Sequence, residues 1–100
     1  MPSTDLQLDW LRAFIAAIDA GSLTAAGRQV HRSQSALSMQ IAKLEQAVGH
    51  AVLVRTPRRL DVTPAGQELL EHARRIVSLH DEAVQAMQRE VIRGRLRYGI

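Results

Sequence analysis

The segment "HRSQSALSMQIAKLEQAVG", residues 31–49, combines a regular apolar pattern with an unusually uncharged polar one. Its apolar residues recur at steps of four, three and four, which predicts one buried face of an α-helix. These residues are Leu37, Ile41, Leu44 and Val48. The other face begins with Ser and Gln, where a solvated helix more often carries Glu and Lys. Either Ser33 simply caps a surface helix, or this face contacts a partner.

Length and composition favour one small all-α domain. The chain has 100 residues, 46% of them hydrophobic and only three aromatic, so we expect helices that pack through aliphatic side chains. It has no cysteine, which excludes a disulfide framework and thiolate metal sites. No apolar run approaches the ~20 residues of a membrane span, and the N-terminus lacks the pattern of a signal peptide. We therefore expect a soluble cytoplasmic protein without membrane contacts.

Positive charge is concentrated in the middle of the chain. Between Gly21 and Leu60, six cationic residues and the single acid Glu45 give a net charge of +5, against +3 for the whole chain. The cations are Arg28, Arg32, Lys43, Arg55, Arg58 and Arg59. This pattern indicates either a polyanionic partner, most commonly nucleic acid, or a solvated basic surface.

Two further helices are predicted before the segment 31–49. The first has apolar residues at helical spacing from Leu8 to Ile18, with Asp5 available at its N-terminus and Gly21 placed to end it. The second is short, with Ser22 or Thr24 as N-cap. Gly27 lies inside it at a cost of about 1 kcal/mol relative to Ala, so we expect the close approach of another helix.

A break at about residues 31–33 then leads into the helix of the segment 31–49, for which Ser33 is the better N-cap. Two helices joined by such a short turn are a candidate helix-turn-helix. With Leu37 buried, Ser35, Met39 and Ala42 project outward. Such a surface can enter the major groove, since Gln pairs with adenine, Ser donates or accepts, and Met or Ala packs on a thymine methyl.

The sequence after Gly49 predicts a hairpin and then a long helix. Aliphatic patches at 52–54 and 60–62 flank the basic tip "RTPRR". Thr63 as N-cap and Pro64 as first helical residue predict a helix over 64–93, roughly 45 Å long. Its apolar stripe exceeds what so small a core covers, which predicts pairing with the same helix of a second chain. The residues predicted for this interface are Ala73, Ile76, Val77, His80, Val84 and Met87.

Catalytic and metal-binding patterns are not evident in the sequence. Its four histidines lack an HExxH motif or a short-spaced cluster, and no GxSxG or Gly-rich phosphate loop occurs. We therefore predict neither an enzyme nor a metal site. The final segment, "GRLRYGI", is predicted to begin a strand after a glycine break, and we expect it to start a further domain.

Three linked segments resemble a known family. They are "GSLTAAG", "SQSALSMQIAKLEQAVGHAVLVRT" and "LDVTPAGQELL", and similarity in one register covers about residues 6–76. In them the chain resembles the N-terminal domain of LysR-type transcriptional regulators. The resemblance implies a mainly α winged helix-turn-helix, three helices with a β-hairpin wing, in 1–63. It also implies a linker helix in 64–93 that pairs antiparallel in a dimer, and in 94–100 the start of a truncated effector-binding domain.

The resemblance also assigns site residues. The base-reading positions of the family correspond to Gln34, Ser35, Ser38 and Met39. Contacts to the DNA backbone or minor groove correspond to Thr24, Arg32, Ser33, Lys43, Arg55, Arg58 and Arg59. Many members have Pro in place of Ser35, Arg in place of Met39 and Ala in place of Gly27. Without that Arg, a bidentate guanine contact is not expected there.

The sequence therefore predicts a sequence-specific regulator that binds double-stranded DNA as a homodimer. Two recognition helices would enter major grooves about 34 Å apart on a pseudo-palindromic operator. No cofactor is expected in this segment, a small-molecule effector is expected for the missing domain, and a tetramer is an option for the full-length protein. The competing hypothesis is a helix-turn-helix and coiled-coil adaptor that binds proteins, which predicts negligible salt-dependent DNA affinity.

Overall fold

The computed structural model describes the backbone of residues 5–55 and 59–97, and the side chains of 5–55 and 59–89. It has the predicted mainly α architecture, with four helices and a two-stranded hairpin. The elements in chain order are α1 (Leu8–Ala20), α2 (Leu23–Val30), α3 (Gln34–Val48), β1 (Leu53–Arg55), β2 (Leu60–Val62) and α4 (Pro64–Arg97). In the part of the chain described, no helix is long and apolar enough to cross a membrane.

The hydrophobic core is centred on α1, which packs against the three other helices. Phe14 is the largest fully buried side chain, and it lies in one cluster with residues of α2, α3 and β1. Helix α3 supplies Leu37, Ile41 and Leu44, each at most 1% exposed, whereas Val48 is only partly buried. The predicted buried face of α3 is therefore confirmed, and its burial fixes which way the opposite face points.

Short polar residues and glycines set the helix ends, largely as predicted. Gly21 ends α1 in the left-handed region at φ 79°, and the Ser22 side chain caps α2 by accepting from the Ala25 N–H at 3.1 Å. Between the alternatives Ser22 and Thr24, the structure selects Ser22. At its other end α1 has Gln7 as N-cap, without a side-chain hydrogen bond, so Asp5 does not cap this helix.

The hairpin is antiparallel, with Leu53 paired to Val62 and Arg55 to Leu60. Residues 56–58 at its tip, including the predicted site residue Arg58, lie outside the described residues. An isolated two-stranded hairpin is marginal in water, so its attachment to the helices matters.

Thr63 and Gly66 attach the hairpin to the start of α4. The Thr63 hydroxyl accepts from the Gly66 N–H at 3.0 Å, as a predicted N-cap should, and donates to the Ala51 carbonyl at 2.6 Å. The Thr63 N–H donates to the Val52 carbonyl at 3.1 Å. A Cβ on Gly66 would overlap that Val52 oxygen and approach the Val62 side chain to 2.8 Å. Only glycine allows this close approach of helix and strand.

Two ion pairs orient α4 against α1. Arg12 contacts Asp81 at 2.7 Å, and Arg74 contacts Asp19 at 2.6 Å. The hydrogen bond from Arg74 lowers the pKa of Asp19, and the hydrogen bond from Arg12 is the main cause of the lowered pKa of Asp81. Because all four side chains are about half exposed, solvent screens these pairs, and they specify the angle of α4 more than they stabilise the fold.

The end of α4 differs from the prediction. The backbone stays helical through Gly94 to Arg97, four residues past the expected end at Arg93 and across the start of the expected strand. One interior glycine costs only about 1 kcal/mol relative to Ala, which is not enough to end an otherwise continuous helix. Residues 98–100 lie outside the described residues.

The long helix exposes apolar side chains to solvent, but not all of the residues predicted for the dimer interface are exposed. Ala73 is fully buried in the core of its own chain and Val77 is partly buried against it, so Ala73 in particular was wrongly assigned to a dimer interface. The helix packs on α1 through this side because α4 docks along the domain before extending beyond it. His80 also lies on the α1 side, with Nδ1 3.1 Å from Asp81 and 3.4 Å from Arg12.

We define the apolar stripe as four residues of α4 at steps of three, four and four, namely Ile76, Leu79, Ala83 and Met87. Leu79, absent from the prediction, is 65% exposed, and Met87 is 62% exposed. Val84, also exposed, lies on the neighbouring side of the helix, in line with Ala73 and Val77.

Replacement of Gly66 by Ala should lower the free energy of unfolding by about 2 kcal/mol, because the new methyl group forces α4 away from the Val52 carbonyl. Urea denaturation followed by circular dichroism measures this change. The matched control Gln67→Ala, at the next and exposed position, should stay within about 0.5 kcal/mol of the unmodified chain. Equal stability of the two variants would contradict the close approach described here.

Candidate nucleic-acid interface

The turn between α2 and α3 positions the candidate site. His31 takes the left-handed conformation at φ 57°, and the Arg32 N–H donates to the Gly27 carbonyl at 2.9 Å. A Cβ on Gly27 would lie 2.5 Å from the Arg32 carbonyl oxygen. The expected close approach at Gly27 is therefore present, but its nearest neighbour is the Arg32 carbonyl in the turn, and the N atom of Gln34, the first residue of α3, is more distant at 3.7 Å.

Ser33 starts α3 as its N-cap. Its hydroxyl accepts from the Ala36 N–H at 3.1 Å, which confirms the capping role predicted from sequence. The remaining N–H groups in the first turn of a helix have no intrahelical acceptor and favour a nearby anion such as phosphate. The start of α3 is thus suited to contact a polyanion.

The outward face of α3 combines small polar side chains with one exposed thioether. We define the α3 surface as Gln34, Ser35, Ser38 and Met39. Gln34 and Ser35 are exposed, Met39 is 61% exposed, and Ser38 is half-buried at the edge. No member of this surface is charged, so it can approach base edges without repelling phosphate and without a strong electrostatic preference of its own.

One hydrogen bond joins α2 to this surface. The Thr24 hydroxyl, in the first turn of α2, donates to the Gln34 side-chain oxygen Oε1 at 3.2 Å. The structure therefore brings together Thr24, predicted as a backbone contact, and Gln34, predicted as a base contact. This pairing was not predicted, because ten residues of sequence separate the two.

Basic residues flank the α3 surface. Arg28 on α2, Arg32 in the turn and Lys43 on α3 are all exposed. The Arg32 guanidinium is 4.0 Å from the Asp9 carboxylate, at the start of α1. At that distance and exposure the pair is weak, so most of the positive charge of Arg32 remains available to an anion.

The wing residues in the described part of the chain lie on the hairpin. Arg55 is exposed at the end of β1, and Arg59 contacts Asp61 through its Nε at 3.1 Å. Asp61 thus offsets part of the charge of Arg59, which the sequence alone did not indicate.

Glu45 is a site-supporting residue that sequence reasoning missed. Its Oε2 accepts from the Val52 N–H at 2.8 Å and from the Leu53 N–H at 3.4 Å. The carboxylate therefore fastens the start of the hairpin to the C-terminal half of α3. The available signal was its isolation, since Glu45 is the single acid in a segment of six cations. Among residues 5–55 and 59–89, no group of three or more His, Asp or Glu side chains could hold a metal ion.

Comparison with known proteins places this geometry in a family. Residues 8–67 match the family model described as bacterial regulatory helix-turn-helix protein, lysR family. The chain is 38% identical over 94 residues to the HTH-type transcriptional regulator DgdR of Burkholderia cepacia, covering 94% of this chain and 32% of DgdR. It is 36% identical over 97 residues to the nitrogen assimilation regulatory protein nac of Klebsiella aerogenes, covering 95% of this chain and 32% of that protein. The chain thus spans about a third of the length of these curated relatives.

Solved structures agree with this assignment. The crystal structure of the BenM_DBD in complex with catB site 1 DNA superposes with a TM-score of 0.80 at 32% identity, covering 85% of this chain and 96% of that one. The CbnR_DBD in its DNA complex gives a TM-score of 0.79 at 33% identity, covering 85% and 98%. Since the family model matches more than half of the sequence and the winged helix-turn-helix is present, the chain belongs to the LysR family of bacterial regulatory helix-turn-helix proteins.

Proposed function

We propose that this chain is the sequence-specific DNA-binding module of a transcriptional regulator. The observation that carries the proposal is the uncharged, exposed α3 surface with cations on either side, Arg28 and Arg32 before it and Lys43 after it. Contacts from cations to phosphates fix the position of a protein on the duplex, and sequence is read by hydrogen bonds and apolar contacts to the base edges, which the α3 surface can make. Membership of the LysR family and the DNA complexes of BenM_DBD and CbnR_DBD support the same function.

In this proposal α3 enters the major groove with its N-terminal half. Gln34 and the two serines make hydrogen bonds to base edges, and the Met39 thioether packs on a thymine methyl group. A methionine has no charge and no donor, so it cannot make the bidentate guanine contact that an Arg provides. Met39 is therefore expected to favour A·T over G·C at the base pair it touches.

The hairpin acts as a wing that contacts the DNA backbone or the minor groove. Arg55 and Arg59 belong to its described part, and Arg58, at the tip, is proposed on family resemblance alone. Glu45 supports this role, because it holds the start of β1 against α3 and so fixes the wing relative to the helix in the groove.

The long helix α4 is proposed to pair two copies of the chain. The apolar stripe exposes Leu79 and Met87 on a helix of 34 residues, about 51 Å long, which extends beyond the core of the domain. An antiparallel pair of these helices buries both stripes and gives a two-fold symmetric protein. Such a dimer suits a pseudo-palindromic operator with half-sites about one helical turn, or 34 Å, apart.

The whole protein is proposed to be a longer cytoplasmic regulator, since the curated relatives are about three times the length of this chain. In it, a further domain binds a small-molecule effector, and dimers associate into tetramers. Light-scattering mass measurement on the full-length protein tests the tetramer.

Substitution of the two kinds of contact should have different effects on DNA binding. Lys43→Ala should weaken binding to all duplexes and reduce the slope of log K against log salt by about 0.9, the value for one lost phosphate contact. Gln34→Ala should instead cost about 1–3 kcal/mol at one base pair and leave the salt slope unchanged. Gel shifts on a duplex selected from a random pool, and on the pool itself, at two salt concentrations measure both quantities.

Gln85→Ala, an exposed position on the far side of α4 from the apolar stripe, serves as the control and should bind like the unmodified chain. DNA affinity that is negligible at both salt concentrations would favour the protein-binding adaptor instead. Equal losses on selected and random duplex for Gln34→Ala would remove the base-reading role.

The dimer proposal predicts that Leu79→Glu produces monomers. Burial of one leucine contributes roughly 1.5 kcal/mol or more, so the two copies in a symmetric dimer contribute about 3 kcal/mol, and the dissociation constant should rise about a hundredfold or more. Ser78→Glu adds the same charge at the neighbouring exposed position off the stripe and should leave the dimer intact. Sedimentation at micromolar concentration distinguishes these results. An unmodified chain that sediments as a monomer would contradict the interface.

A further inference from the structure

Thr24 and Gln34 form the one direct side-chain link between α2 and the α3 surface among the hydrogen bonds of the described residues. Both side chains are exposed, and Oγ1 lies 3.2 Å from Oε1. The backbone enforces this proximity, since the Arg32 N–H bonds to the Gly27 carbonyl at 2.9 Å and Gly27 has no side chain to hold the turn away. The backbone of the turn therefore holds the first turn of α2 next to the first residue of α3.

The hydrogen on the Thr24 hydroxyl decides what this residue can do. A threonine hydroxyl has one O–H to donate, and a DNA phosphate only accepts hydrogen bonds. While Thr24 donates to Gln34, it has no hydrogen left for a phosphate. The backbone-contact role assigned to Thr24 by family resemblance and the bond observed here thus exclude each other.

The same bond determines which end of the Gln34 amide faces outward. Its Oε1 is turned toward α2, so the Nε2 group and its two hydrogens are left for a base edge. In the major groove, guanine offers N7 and O6 as acceptors, adenine N7 and thymine O4, whereas cytosine offers only the N4 amino donor. An amide held in this orientation meets an acceptor on each base except cytosine.

We propose that Thr24 is a positioning residue for specificity, which holds the Gln34 amide with its nitrogen outward and so disfavours cytosine at the contacted base. This inference rests on the proposed DNA-binding function. Without the Thr24 hydroxyl, the exposed amide turns freely about its last side-chain bond, presents oxygen as readily as nitrogen, and accepts from the cytosine amino group.

A double-mutant cycle tests the proposal. The 100-residue chain and its variants Thr24→Val, Thr24→Ser, Gln34→Ala and Thr24→Val/Gln34→Ala are titrated against a duplex selected from a random pool. The base pair whose preference Gln34→Ala abolishes is then replaced by each of the other three pairs. Valine keeps the shape of threonine without a donor, and serine keeps the hydroxyl. Circular dichroism melts confirm that each variant is folded.

The unmodified chain should disfavour cytosine, and Thr24→Val should narrow that discrimination about fivefold, the effect of one hydrogen bond. Thr24→Ser should retain the discrimination. In the Gln34→Ala background, Thr24→Val should change nothing further, because the residue it positions is already gone.

Other outcomes would overturn the proposal. Equal weakening by Thr24→Val on all four duplexes, undiminished in the Gln34→Ala background, would make Thr24 an independent phosphate contact. A preference for cytosine that Thr24→Val removes would mean that the amide is held with its oxygen outward. In both cases sequence-specific binding by the unmodified chain persists and the proposed function stands. Only a chain that selects no duplex from the pool removes the function and the inference together.

Discussion

The contact between Gly27 and the backbone of the following turn is the constraint on which the candidate interface depends. The Gly27 carbonyl accepts from the Arg32 N–H at 2.9 Å, and the Arg32 carbonyl occupies space that a Cβ on residue 27 would need. This tight turn sets the angle between α2 and α3. With α3 anchored by Leu37 and Ile41 against α1, its outward face is fixed, and Thr24 is held within hydrogen-bonding distance of Gln34. A looser turn would not hold Thr24 and Gln34 within hydrogen-bonding distance of each other.

A second set of contacts fixes the position of the hairpin, as the turn fixes that of α3. The hairpin is too small to be stable alone, and it is held by the Glu45 carboxylate on one side and by Thr63 and Gly66 on the other. These contacts converge on the backbone of residues 51–53. The start of the hairpin is therefore joined to α3 and to the start of α4 through hydrogen bonds to main-chain groups, which do not depend on the identity of the strand side chains.

The features that follow from local sequence were predictable. The buried face of α3, the caps at Ser33 and Thr63 and the end of α1 at Gly21 each depend on residues within one or two turns of one another. The errors have two sources. Gly94 was expected to end α4, but a single glycine costs little free energy in a long helix. Ala73 was assigned to an interface because periodicity shows that a residue is apolar but not which neighbour covers it.

The supporting contacts of the site were beyond prediction for a related reason. Glu45 and the Val52 N–H, or Thr24 and Gln34, are pairs that meet only once the helices have packed. Their partners are main-chain amides or exposed polar side chains, which leave no periodic signal. The site residues themselves could be named from the resemblance, but not the hydrogen bonds that orient them.

The proposed function requires that the N-terminal half of α3, with the adjoining first turn of α2, is the surface that contacts DNA. Backbone amide chemical shifts, recorded while the chain is titrated with a selected duplex, test this placement residue by residue. We expect the largest shift changes at Thr24 and from Ser33 to Lys43, with small changes along the apolar stripe of α4. Changes concentrated on that stripe, with α3 unaffected, would contradict it.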